Sequence, residues 1–145
     1  MTREIKFRVR ANIRVMENEY KFSIRVKTLI ISLYELTNNT IKSIISKNLL
    51  ENEYFERVIS WDEYTGLNDK HNIDIYERDV LAVPFVEFQL GTQIRNWKIE
   101  WGEHSAMWLA FRINTDLRED ASCVKHGEII GNTYDNPELL GGNEE

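Results

Sequence analysis

Histidine, serine and cysteine are the residues through which this chain could do covalent or metal chemistry, and there are few of them. His104 stands beside Ser105, a base next to a hydroxyl. Neighbours in sequence do not make a nucleophile–base pair, however, and no G-x-S-x-G elbow surrounds them; a polar hairpin loop accounts for both. The one cysteine, Cys123, lies three residues before His126, a ligand-like spacing. Two ligands do not make a structural zinc site, so a partly buried free thiol and a surface histidine are expected instead. A single cysteine also excludes a disulfide framework. Asp116, Glu119 and Asp120 form an acidic loop that lacks the glycine and the spacing of a calcium loop. A solvated acidic face is the expectation, and no metal or cofactor is expected. The seven glycines are scattered apart from Gly141-Gly142, and no phosphate loop or dinucleotide fingerprint occurs.

Charge offers a second kind of chemistry. Residues 1–50 hold 10 Lys/Arg and 4 Asp/Glu, whereas residues 51–145 hold 8 and 20, for a formal total of −6. Arg8, Arg10 and Arg14 fall on one face of an alternating stretch, together with Arg3 and Lys6, where they could hold phosphates. The competing expectation is that basic and acidic segments lie side by side and neutralise each other. The acidic remainder would repel a polyanion, so little nucleic-acid binding is expected at physiological salt.

The elements that must position these groups are mostly strands. Ile5, Phe7, Val9, Ala11, Ile13 and Val15 alternate with polar residues, which predicts a strand with an apolar core face and a basic face toward water. Residues 20–36 form a second β-prone stretch after a polar turn. Thr37 to Thr40 supply a helix N-cap cluster, and Ile41, Ile44 and Ile45 recur one helical face later as Phe55, Val58 and Ile59. Two short helices or one interrupted helix are therefore expected there.

Short strands return from Trp61. Residues 83–90 read as a strand whose Pro84 places it at an edge or a strand start. Trp97, Ile99 and Trp101 share one face, and Met107, Leu109, Phe111 and Ile113 share a face of the next strand, which predicts a hairpin. On this reading Trp97 and Trp101 are core residues and Trp108 is the exposed aromatic. Residues 114–126 read as a surface loop, 128–130 as a closing strand and 136–140 as a helical turn with Pro137 near its start. Gly141 to Glu145 are expected to fray.

Residues 64–81, YTGLNDKHNIDIYERDVL, and residues 128–140, EIIGNTYDNPELL, resemble the YopX family of phage and prophage proteins in content and order. The opening Arg3-Glu4-Ile5-Lys6-Phe7-Arg8 resembles the family's usual start. Asn72 and Arg78 stand where relatives commonly carry glycine. The resemblance implies a mainly β (α+β overall) fold: a small SH3-like or pseudo-barrel β domain, residues 1–145, with an inserted helical α+β subdomain over 28–60. It also implies an undefined biological role with no catalytic residues or cofactor to carry over. Its motif residues read as structural. Tyr64, Gly66, Ile75, Tyr76 and Asp79 belong to two strands around a polar turn, and Gly131, Asn132, Tyr134, Asn136 and Pro137 to a strand end and a side-chain-bonded turn.

The expected function is that of a non-enzymatic phage or prophage accessory protein acting through protein contacts. A homo-oligomer is expected, with Ile44, Ile45, Phe55, Val58 and Ile59 in its interface, and a phage or host protein as a further partner. The alternative is a small β-barrel that binds nucleic acid through Arg8, Arg10 and Arg14. No membrane-spanning or signal segment is expected, which suggests a cytoplasmic protein.

Overall fold

A computed structural model describes residues 4–141, the side chain of Asn38 excepted. Arg3 and residues 142–145, expected respectively to contact phosphate and to fray, lie outside the described residues. The fold is mainly β within the α+β class, as the resemblance implied. The chain forms two compact units, residues 1–63 and 64–145.

The first unit begins with the expected alternating strand, β1 (Lys6–Asn18), which turns at Glu19-Tyr20 into β2 (Lys21–Ser32). Asn18 Oδ1 accepts the Tyr20 amide at 2.7 Å and braces this turn. Ser32 ends β2 because its hydroxyl accepts the Glu35 amide while Glu35 reaches back to the Ser32 amide. This reciprocal capping box starts helix α1 (Leu33–Asn38) inside the stretch read as β-prone. Thr40, from the expected N-cap cluster, caps helix α2 (Ile41–Ser46).

Phe55, Val58 and Ile59 were expected on a helix, but they lie on a strand, β3 (Glu53–Asn68). β3 pairs antiparallel with β1 and shifts register twice, between Arg10/Ala11 and between Asn12/Ile13. Each shift adds a residue to β3. Phe55, Val58 and Trp61 therefore oppose Ile13, Ala11 and Val9, and a spacing of three stays on one sheet face. The bulges imitate helical periodicity.

Val9, Ala11, Ile31, Ile44 and Ile45 are the buried core of this unit, with Phe55 and Val58 packed against them. The range 28–60 thus contains the end of β2, both helices and the first half of β3.

In the second unit Tyr64 and Asn68, at the end of β3, pair with Tyr76 and Asp74 of β4 (Asp74–Tyr76). A five-stranded antiparallel sheet follows, built from β5 (Asp79–Glu87), β6 (Gly91–Gly102), β7 (Met107–Arg112), β8 (Arg118–Asp120) and β9 (Glu128–Asn132). Its order is β8-β7-β6-β5-β9. β9 pairs only with Asp79–Ala82 of β5, so Pro84 lies beyond its end, where no ladder bond is asked of its nitrogen.

The β6–β7 hairpin forms as expected, but its second strand faces the other way. Trp101 opposes Trp108 and Ile99 opposes Ala110, and directly opposed residues share a face. Ile99, Trp108 and Ala110 are therefore core residues, while Met107, Leu109 and Phe111 lie on the outer face. Trp108 is 9% exposed and Trp101 44%, the reverse of the expectation for both. The small Ala110 leaves room for Ile99 opposite it. No helix among the described residues is long and apolar enough to cross a membrane.

Candidate functional site at the paired motifs

The two stretches that carry the resemblance fold against each other. Asp79 opposes Asn132 in the β5–β9 ladder, and the Thr133 amide donates to the Arg78 carbonyl at 2.9 Å. Each motif also satisfies its own backbone. Asp79 Oδ2 accepts the Tyr76 amide at 2.8 Å, closing the corner between β4 and β5. Thr65 donates its hydroxyl to the Ile75 carbonyl at 2.7 Å, and Tyr64 and Tyr76 rings sit 5.6 Å apart. Gly66 takes a positive φ of 88°, inside the register shift between Tyr64 and Asn68. Asn72 and Arg78, at the two glycine positions of relatives, keep positive φ values of 65° and 75°. The turns thus retain glycine's geometry without glycine.

In the second motif Asn132 Oδ1 accepts the amides of Tyr134 and Asp135, and Asn136 Oδ1 accepts the Asn132 amide at 3.2 Å. Pro137 opens a 3-10 turn, Pro137–Leu140. Gly131 is required by space. A Cβ there would stand 2.5 Å from Asn136 Oδ1 and 2.9 Å from Leu139 Cδ1. Gly131→Ala is expected to cost about 2–3 kcal/mol in urea unfolding, through overpacking and loss of the Asn136 bond. Asn136→Ala should cost less, about 1 kcal/mol.

Asp69, which the sequence reading passed over, joins the motifs most directly. Its carboxylate accepts the amides of His71 (2.8 Å), Ile73 (3.0 Å) and Ile129 (3.0 Å). Burial opposes its ionisation, but the three amides outweigh it and hold its carboxyl below the usual range. D-x-x-N between two strand patterns is the signal that could have revealed it.

The candidate chemical residues are not brought together. His104 and Ser105 are exposed in the β6–β7 turn, with Ser105 Oγ donating to the Gly102 carbonyl at 3.4 Å. Cys123 is exposed rather than partly buried. Partial desolvation and the charges of Glu119 and Asp120 raise its thiol pKa, which disfavours the reactive thiolate. Asp120 accepts the Ser122 amide at 2.8 Å and caps the 3-10 turn Ala121–Val124, which lowers its pKa. Asp116, Glu119 and His126 are exposed. Among the described residues no group of three or more His, Cys, Asp or Glu is placed to hold a metal.

The first strand's basic face is not turned to water as expected. Arg10 and Asp62 are fully buried, with Arg10 Nη1 donating to Asp62 Oδ2 at 2.7 Å. Arg8 donates to the same oxygen through Nε (3.0 Å) and Nη2 (2.8 Å). Arg14 pairs with Glu56 at 2.7 Å and Arg25 with Glu53 at 2.5 Å. Every one of these acids comes from β3, between Glu53 and Asp62. Residues 1–63 hold 11 Lys/Arg against 9 Asp/Glu, and residues 64–145 hold 7 against 15, so the basic front is neutralised within its own unit.

Of the residues expected in an interface, Ile44 and Ile45 are buried core, and Phe55, Val58 and Ile59 are half-buried. A comparison with curated proteins found no match. The model of the family described as YopX protein matches residues 6–141, a span that includes both paired motifs, and the chain therefore belongs to the YopX family.

Proposed function

We propose that this chain is a phage or prophage accessory protein that works by protein contact rather than catalysis, and that its first contact is with a second copy of itself through β2. The observation that carries this reading is the state of β2. Among the described residues it is the end strand of its sheet and pairs only with β1 along its 12 residues. Phe22, Ile24, Val26 and Ile30 alternate along its outer face, each 48–52% exposed. A long, apolar end strand is a template for another strand.

Charge supports a second copy as the occupant. Cations on an end strand ordinarily repel a like strand, but Arg25 is tied to Glu53, Lys21 to Glu17, and the charge of Lys27 acts on the same Glu53 carboxylate. An antiparallel two-fold centred on Thr28 places Val26 of each copy opposite Ile30 of the other, with Lys27 opposite Leu29 and Arg25 opposite Ile31, so that no cation faces another. The expected helical surface has no part in this contact, since Ile44 and Ile45 face the core.

Light scattering after size exclusion tests the reading. The protein is expected to be a dimer at high micromolar concentration, and Ile24→Asp or Val26→Glu should give a folded monomer. Ile44→Asp should unfold the first unit instead. A wild-type monomer, or a dimer indifferent to both β2 variants, overturns self-association through this strand.

A further inference from the structure

We propose that the open end of the second unit's sheet is a binding site for a small carboxylate carried on a flat apolar body, with Arg95 and Arg112 as its anion partners. Three strands build it on one face. Arg95 opposes Val83 of β5, and Arg112 opposes Trp97 of β6. Where the packed core around Leu81 and Ile99 stops, these side chains border a cavity of about 260 Å³. Phe85 and Trp97 supply aromatic wall, and Leu117 and Val124 supply aliphatic wall.

The two guanidiniums differ in what they already hold. Arg112 is half-buried and makes no ion pair or side-chain hydrogen bond among the described residues. Arg95 lies with its guanidinium carbon 4.5 Å from the Phe85 ring centroid. Its Nη1 donates to the Ile94 carbonyl at 3.3 Å and its Nη2 is 3.5 Å from Glu87 Oε1, while its Nε is buried with no hydrogen-bond partner. The terminal nitrogens of Arg112, which carry no ion pair among the described residues, are the donors a ligand oxygen can reach. A planar fork is suited to carboxylate, which it can bind through two parallel bonds.

Size and charge narrow the class. The cavity falls just below the roughly 300–1,000 Å³ usual for drug-sized ligands, so one ring system fills it. Glu119 is the one carboxylate on its wall, and the unit holds 15 Asp/Glu against 7 Lys/Arg. That surrounding charge favours a single negative charge over a polyphosphate.

Calorimetry with 2-naphthoate, and with 2-naphthalenemethanol as its neutral counterpart, tests the site in the full chain. The acid is expected to bind saturably and at least about tenfold more tightly than the alcohol. Arg112→Gln should weaken the acid by about tenfold or more, while Arg112→Lys, which keeps the charge and loses the fork, should recover only part of it. Perturbation of the Trp97 indole N–H resonance on titration would place the ligand in this cavity. If Arg112→Gln does not fold, Arg95→Gln carries the same expectation. Equal affinity for acid and alcohol, no saturable binding of the acid, or undiminished binding by the folded arginine variants overturns the proposal.

Discussion

Asp62→Ala is expected to lower the stability of the protein by about 3–5 kcal/mol, the usual cost of breaking a buried ion pair from one side. Asp62 Oδ2 takes three donor nitrogens, two from Arg8 and one from Arg10, and both Arg10 and Asp62 are fully buried. Removing the carboxylate leaves a buried guanidinium without its counter-charge. Arg10→Met removes the cation and keeps the volume, so it should cost less than Asp62→Ala. The double variant Arg10→Met with Asp62→Leu should recover part of the loss, because the fully buried pair is replaced by apolar side chains, although Arg8 loses its two bonds to Asp62. Urea unfolding of these proteins together with Asp62→Leu measures the coupling. Equal stability of Asp62→Ala and wild type would show that the pair contributes nothing.

Asp69→Ala is expected to cost about 3 kcal/mol or more, since it strips the acceptor from three amides at once. Asp69→Asn keeps one oxygen and should cost about half as much. The same geometry sets a pH dependence. The folded-state pKa of Asp69 lies below its ordinary value because the amides outweigh burial. A depressed carboxyl contributes stability that is fully present above its unfolded pKa of about 4 and lost as pH falls through the folded value. Glu53, Asp120 and Glu128 are lowered too, by the Leu50 amide, the Ser122 amide and Lys70 respectively, and they steepen the same acid limb. Unfolding midpoints between pH 7 and pH 3 should therefore fall, and fall less steeply in Asp69→Asn. Parallel curves for the two proteins would remove Asp69 from this role.

The fold class, the first strand, the β6–β7 hairpin and the side-chain-bonded turn of the C-terminal motif were legible because each rests on local alternation or turn chemistry. The errors have equally specific causes. Phe55, Val58 and Trp61 share a face at a spacing of three only because β3 carries two extra residues opposite β1. Nothing local announces a bulge, so the pattern passes for a helix. The face of Trp108 depends on which residue of β6 it opposes, and the bulky residues 107, 109 and 111 suggested the wrong one. Arg10 looks like any solvent-facing cation in a strand, since its partner Asp62 is 52 residues away. Asp69 escaped notice because one of its three donors, Ile129, is 60 residues further along. The cavity at Arg95 and Arg112 joins three strands and has no sequence signature at all.

The position of β9 has a consequence for how the chain is made. The first unit is one continuous segment and can complete its sheet as soon as residue 63 has left the ribosome. The second cannot. The strand that covers Asp79–Ala82 of β5, and the Ile129 amide that completes the set around Asp69 from 60 residues further along, are made well after the groups they complete. A chain interrupted before residue 128 leaves one side of β5 unpaired beside an apolar core, the kind of surface that proteases and chaperones act on. Quality control therefore has one event to read in this unit: whether β9 has docked on β5.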